Sequence, residues 1–196
     1  MPIVPTTRSA YLFDGLSDSP LEVAASIIRD LPSARLEEIE RLWKPAREQF
    51  SRVLALSGDT SEHGHWDWRN KVWSIESGRH RIVAVECRGE IQGLMAVATQ
   101  PRPAAIGANA EPVLYVDYLE TAPWNLRGPA TRPRFRGVGT VLIEEAFRIS
   151  RDTGWGGRVG LHSLSQAERF YLASGMTRMG PDPDYYDLVY FEYNED

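Results

Sequence analysis

Between positions 134 and 140 the chain reads Arg134-Phe135-Arg136-Gly137-Val138-Gly139-Thr140. An amphipathic run follows, with Val141, Leu142, Ala146 and Ile149 at helical spacing. Glycines at a helix entrance let the backbone approach a ligand closely and turn its N–H groups inward. The first turn of the helix adds unpaired amides and a positive dipole end. With two arginines beside it, such a segment suits a phosphate or pyrophosphate. The glycine spacing alone is equally that of an ordinary tight turn. It is not a Gly-Lys-Ser/Thr phosphate loop, because no such triplet follows. It is not a dinucleotide fingerprint, because Leu142 stands where a third glycine belongs.

Several other residues could do chemistry. Tyr171 lies in the run Ala167-Glu168-Arg169-Phe170-Tyr171-Leu172-Ala173-Ser174-Gly175-Met176, where its ring can equally pack in a core. Glu120 ends an apolar run and is the preferred general base over Asp117 and Glu111. A lone acid at a strand end is as often a solvated charge. His63-Gly64-His65-Trp66-Asp67 resembles the start of a metallo-hydrolase motif, but Trp68 replaces the histidine that should follow. Only His80 and His162 remain elsewhere, so the ligand count is short and no metal is expected. Cys87, the only cysteine, sits mid-strand and reads as a buried structural residue. Asp182, Asp184, Tyr185, Tyr186 and Asp187 form an acidic, aromatic loop. It could greet a cationic amine, or be a solvated turn.

The elements that must position these residues follow from periodicity. Residues 19–56 read as helical, with a first helix capped by Ser19 and carrying Leu21, Val23, Ala24, Ile27 and Ile28, interrupted at Pro32. A second carries Leu36, Ile39, Leu42 and Trp43, with a kink expected at Pro45, and the segment ends at Gly58. Ile82–Val85, the turn Arg88-Gly89-Glu90 and Leu94–Ala98 predict a hairpin; a third strand is predicted near 113–121. The helix entered at the glycine loop ends at Gly154, Gly156 and Gly157. A short strand spans 158–162, and Ser165-Gln166-Ala167-Glu168 reads as a capping box opening a helix that stops at Gly175. Two strands around the loop 180–186 finish the chain. This order predicts a mixed α/β fold: one central sheet of about six or seven strands flanked by helices on both faces, in a single domain over 1–196.

Composition narrows the classes. With 196 residues, 42% hydrophobic and 25% charged, the chain is neither a disordered tail nor a disulfide-stapled miniprotein. No apolar run approaches the about 18 residues that a membrane helix needs, and the opening residues lack a signal-peptide layout, so no membrane partner is expected. One cysteine cannot form an internal disulfide, which makes a cytoplasmic location the default. The net charge of −5 argues against a nucleic-acid partner. Only Lys44 and Lys71 are lysines. Arg127, Arg132, Arg134 and Arg136 crowd ten residues without an acid, while the last fifteen residues carry acids without a base.

The pattern Arg134-x-x-Gly137-x-Gly139, entered after three strands, resembles motif A of the GCN5-related N-acetyltransferases (GNAT). The run Ala167 to Met176 is similar to that family's tyrosine-bearing helix. The resemblance covers roughly residues 80–193, read as an acetyl-CoA-binding core, with 19–58 as a helical acceptor-side segment. It implies a GNAT-like acyltransferase fold and direct transfer of an acetyl group from acetyl-CoA to an amine. It implies that the loop from Phe135 through Gly137, Val138 and Gly139 to Thr140, with Arg134 and Arg136 beside it, holds the pyrophosphate. It implies that Leu119, Glu120 and Thr121 lie along the pantetheine, and that Tyr171 protonates the leaving thiolate.

Two departures stand out. Residues 123–133 look inserted, and Ser163-Leu164-Ser165 replaces an asparagine usual before the tyrosine helix, leaving the Ser165 hydroxyl to meet the cofactor. The acceptor is a small molecule or peptide amine, with Trp66, Trp68, Trp124, Asp184 and Tyr185 as candidate contacts; the tryptophans could equally be loop anchors. A homodimer is compatible with this reading. Its rivals are a non-catalytic acyl-CoA sensor or interaction module on the same fold, and a nucleotide- or phosphate-binding enzyme. Against the second stands the lack of a phosphate-binding lysine and of an obvious metal-carboxylate pair.

Overall fold

A computed structural model describes residues 5–106, 110–128 and 131–195. The strands are β1 (Thr6–Asp14), β2 (Glu22–Arg29), β3 (His80–Cys87), β4 (Glu90–Ala98), β5 (Arg102–Pro103), β6 (Pro112–Thr121), β7 (Phe135–Arg136), β8 (Val159–Ser163), β9 (Thr177–Asp182) and β10 (Leu188–Tyr193). The α-helices are α1 (Ala34–Leu56), α2 (Val72–Glu76), α3 (Val138–Asp152) and α4 (Glu168–Ala173). The hydrogen-bonded order is β7-β1-β2-β3-β4-β6-β8-β10-β9, with β5 pairing β6. The fold is therefore mixed α/β, as expected, and its sheet is mostly antiparallel. Among the described residues ten strands form, more than the six or seven anticipated: β5 and β7 are two residues each, too short to show a period, β1 precedes the first element expected, and β2 falls where a helix was expected.

Two compact units divide the chain, Met1–Met95 with Leu119–Leu142, and Ala96–Tyr118 with Ile143–Asp196. In the first, β1 pairs antiparallel with β2 along most of its length, and β2 with β3 from Ser26↔Glu86 to Arg29↔Val83. The predicted helix over 19–31 is thus corrected to the strand β2. Its β-branched Val23, Ile27 and Ile28 suit a pleated surface, and Ala25 and Ile27 alternate into the core. Pairing on both edges overrode the weak helical spacing. The β3–β4 turn is as read: Arg88 (φ 54°) and Gly89 (φ 76°) take the left-handed pair that a two-residue hairpin needs. Cys87 is buried, as expected, but it ends β3 rather than lying mid-strand.

Helix α1 continues through Pro45. Its buried stripe is Leu36, Ile39, Glu40, Trp43, Arg47 and Phe50, while Leu42, expected on the apolar face, is 54% exposed. Two charged residues therefore occupy positions of the buried stripe. Residues 129–130 of the inserted segment and residues 1–4 of the chain start lie outside the described residues.

In the second unit β6 and β8 run parallel, from Leu114↔Val159 to Val116↔Leu161, while β10 pairs antiparallel with both β8 and β9. Strand β6 continues to Thr121 beyond its last pair with β8. Phe147 of α3 stacks on Tyr193 at 4.1 Å, fixing the helix against β10. Ser165–Ala167 forms a 3-10 turn and α4 begins at Glu168. The positions before each, Leu164 and Ala167, make no side-chain cap, which corrects the expected capping box.

Candidate functional site

The glycine loop belongs to the first unit. Gly137 has φ +88°, a conformation that glycine adopts without strain, and the Val141 amide donates to its carbonyl at 2.9 Å. The amides of Val138, Gly139 and Thr140 precede that bond, as first-turn amides with no acceptor inside the helix. Phe135 and Val138 are core side chains, whereas Arg136 and Thr140 are exposed. Any anion therefore meets this loop through its backbone and Arg136. The Phe135 amide is already used: it donates to Asn125 Oδ1 at 2.8 Å. Arg134 pairs with Glu90 at 2.6 Å and Arg132 with Asp18 at 3.3 Å, so two of the crowded arginines have acidic partners.

What braces the loop escaped the sequence reading. Gln92, fully buried in β4, accepts from Asn125 Nδ2 (3.0 Å) and Trp124 Nε1 (2.9 Å) through Oε1, and its own amide donates to the carbonyls of Cys87 and Glu90. Asn125 then holds Phe135. The Arg134 amide donates to the Trp124 carbonyl at 3.0 Å. Trp124 also packs edge-on to Trp43, with centroids 6.4 Å apart, so it anchors the segment as well as flanking it. A glutamine inside the apolar run IQGLMAVA was the available signal.

Glu120 also belongs to this unit and is 3% exposed. Arg47 Nε donates to its Oε1 at 2.9 Å, Arg47 Nη2 to its Oε2 at 3.3 Å, and Trp68 Nε1 to its Oε2 at 2.6 Å. Burial pushes the Glu120 carboxyl above its usual range. Arg47 and the Trp68 hydrogen bond oppose that rise, and Glu40 adds to it. Trp68 is itself 2% exposed, an anchor in the core. Trp66 is half-buried; its carbonyl accepts from Arg47 Nη1 at 2.7 Å and its ring meets His63 edge-on. Leu119 and Thr121 are half-buried on either side of Glu120.

The second unit carries Tyr171, on α4. It is 7% exposed, touches the Phe170 and Phe191 rings, and its hydroxyl has no hydrogen-bond partner among the described residues. Burial pushes its pKa well above that of a free phenol, so it stays protonated at neutral pH. Ser165 is exposed at the start of the 3-10 turn. Asp184 is exposed, and its amide donates to Asp182 Oδ1 at 3.0 Å.

Tyr185 stacks on His162 at 4.0 Å and 8°. His162, left over from the metal reading, is the centre of a chain that sequence did not show. Its Nδ1 lies 2.8 Å from the Tyr115 hydroxyl and its Nε2 lies 3.0 Å from Asp182 Oδ2. The aspartate acceptor assigns the proton to Nε2, leaving Nδ1 to accept from Tyr115. Burial holds the imidazole below its usual pKa, against the pull of Asp182, and pushes the Tyr115 phenol up to about 12. Arg102 lies over the Tyr115 ring at 3.2 Å.

Among the described residues no group of three or more His, Cys, Asp or Glu is placed to hold a metal ion, and no helix is long and apolar enough to cross a membrane.

Among the described residues, a mostly antiparallel sheet with β6 and β8 parallel, and a glycine loop opening α3, are the features of a GNAT-type fold. Solved structures agree. The chain is similar to the PaiA N-acetyltransferase of Thermoplasma acidophilum, crystallised with coenzyme A, at 18% identity, covering 87% of this chain and 99% of that one, with a TM-score of 0.56. It is similar to a GNAT-family acetyltransferase of Listeria monocytogenes at 15% identity, covering 88% and 96%, with a TM-score of 0.54. No family model matches the chain, and no curated protein matches it.

Proposed function

We propose that this protein transfers an acetyl group from acetyl-CoA to an amine by direct attack. The observation that carries the reading is the loop at the start of α3. Gly137 turns at φ +88°, and the amides of Val138, Gly139 and Thr140 open the helix beside the exposed Arg136. That donor set fits a pyrophosphate: several backbone N–H groups, a dipole end and one exposed cation. The similarity to a structure crystallised with coenzyme A points the same way at the level of fold.

The thioester supplies an activated acyl group. The chain has to hold it, accept the proton that the amine sheds, and give a proton to the departing thiolate. The backbone of Val138 to Thr140 and Arg136 hold the pyrophosphate, and Leu119 and Thr121 flank the pantetheine. Glu120, with its raised carboxyl, accepts the amine proton. Tyr171, protonated and partnerless, donates to the thiolate sulfur. As the N–C bond forms the C–S bond breaks, and no covalent enzyme intermediate is required; Cys87 is buried and takes no part. Asp184 and Tyr185 meet the cationic end of the acceptor, a small molecule or peptide.

Calorimetric titration with acetyl-CoA, with ATP and NAD as controls, tests the reading, followed by thiol release over a panel of amines. Saturable binding of acetyl-CoA alone is expected, and Gly137→Val, which forces a β-branched residue into a positive φ at the loop, should abolish it. Equal binding by ATP, or undiminished binding by a folded Gly137→Val, would defeat the cradle.

A further inference from the structure

The buried stripe of α1 contains a cation between two acids, and every arm of that cation is used. Arg47 Nη1 donates to Glu40 Oε1 at 2.8 Å and to the Trp66 carbonyl at 2.7 Å. Its Nη2 lies 3.3 Å from both Glu40 Oε2 and Glu120 Oε2, and its Nε donates to Glu120 Oε1 at 2.9 Å. The Trp68 amide donates to Glu40 Oε2 at 3.2 Å, while its indole reaches Glu120. Glu40 and Arg47 are each 1% exposed. Two carboxylates share one guanidinium, so the dry cluster carries one excess negative charge when both are ionised and none when one is protonated.

An arginine fork alone on Glu120 would hold that carboxylate ionised and make it a weak base. The second carboxylate changes the balance. Glu40 neutralises the guanidinium and leaves its geometry in place. A buried unpaired charge is costly, and one added proton removes it. We infer that Glu40 is a positioning residue that frees Glu120 to take up a proton while Arg47 fixes the direction of its carboxylate. The inference rests on the reading of Glu120 as the acceptor of the amine proton. The opposing view is that the three residues only pin the loop carrying Trp66 and Trp68 onto α1.

Other titratable groups face this cluster. His63, beside Trp66, is held below its usual pKa first by burial and then by Arg47; Glu62 raises it and His65 lowers it. Glu120 itself binds protons more tightly folded than unfolded, so it should make stability fall as pH rises from about 4.5.

The test compares urea stability against pH for the wild type, Glu120→Gln and the isosteric Glu40→Gln. The wild type minus Glu120→Gln difference should reveal uptake of one proton on folding. In Glu40→Gln, the midpoint of that uptake should drop by about one pH unit or more, because Arg47 is no longer neutralised. Arg47→Lys keeps the charge and loses the fork, and should move the midpoint less than Glu40→Gln. A Glu40→Gln that loses stability equally at all pH values, with the midpoint unmoved, overturns the inference and leaves a structural pin. If Glu40→Gln does not fold, an Arg47→Lys midpoint displaced by about one pH unit or more also overturns it. The functional reading fails separately, if Glu120→Gln retains full thiol release on the amine panel.

Discussion

The Tyr171 side chain is 7% exposed and its hydroxyl has no hydrogen-bond partner among the described residues, which leaves it for a ligand to engage. A departing thiolate would do so. Tyr171→Phe removes only the hydroxyl and leaves the ring between Phe170 and Phe191. The expected outcome is a fall in kcat of about tenfold or more with acetyl-CoA affinity nearly intact. Unchanged kcat would remove the phenol from the chemistry and leave Tyr171 as a core ring. At this scale the sequence was informative where a residue's neighbours in the chain define it. Tyr171 and Gly137 could be singled out from their own segments. The partners of Glu120 could not, because Arg47 and Trp68 lie 73 and 52 positions away. A charged pair in a helix stripe was the one local hint: Glu40 and Arg47 fall at the same spacing as Leu36, Trp43 and Phe50.

The glycine loop is held as an element by a neighbouring strand, and the strength of that brace is measurable. Gln92 on β4 fixes Asn125, and Asn125 fixes the Phe135 amide two residues before Gly137. In Asn125→Ala the Phe135 amide loses its acceptor while side-chain packing around the loop is little changed. Leaving a buried donor unmade costs about 1–3 kcal/mol. Part of that cost should appear as a lower melting temperature. The loop loosens too, so acetyl-CoA affinity should fall about tenfold. An affinity identical to the wild type's would mean that the loop keeps its shape without the brace. Helix α3 and the β3–β4 hairpin were legible because each has a strong period and an explicit stop, Gly154 for one and Arg88-Gly89 for the other. Strand β2 was not, since Val23, Ala24, Ile27 and Ile28 fit a helical stripe as well as a pleat. Pairing with β1 and β3 decided between them, and neither partner is close in sequence signal.

Across the whole molecule, groups whose proton affinity is shifted by burial oppose one another. His63 and His162 are both held below the usual imidazole pKa, chiefly by burial. The unfolded chain therefore binds protons that the folded chain does not, in the window from about 6.5 downward, and this part of the stability rises with pH. Glu120 is held above the usual carboxylate range, so its part falls as pH rises above about 4.5. Asp14 and Asp67 are lowered and act only below about pH 4, outside that window. The two imidazoles make the slope of stability against pH more positive between about pH 5 and 6.5 than it would be without them. Replacing both, as His63→Gln with His162→Gln, removes the rising part and leaves Glu120 alone. The slope of urea stability against pH should then become less positive. His162→Gln by itself should only flatten it, because His63 still contributes. A double variant whose stability has the same slope against pH as the wild type's would mean that the two imidazoles contribute no such part.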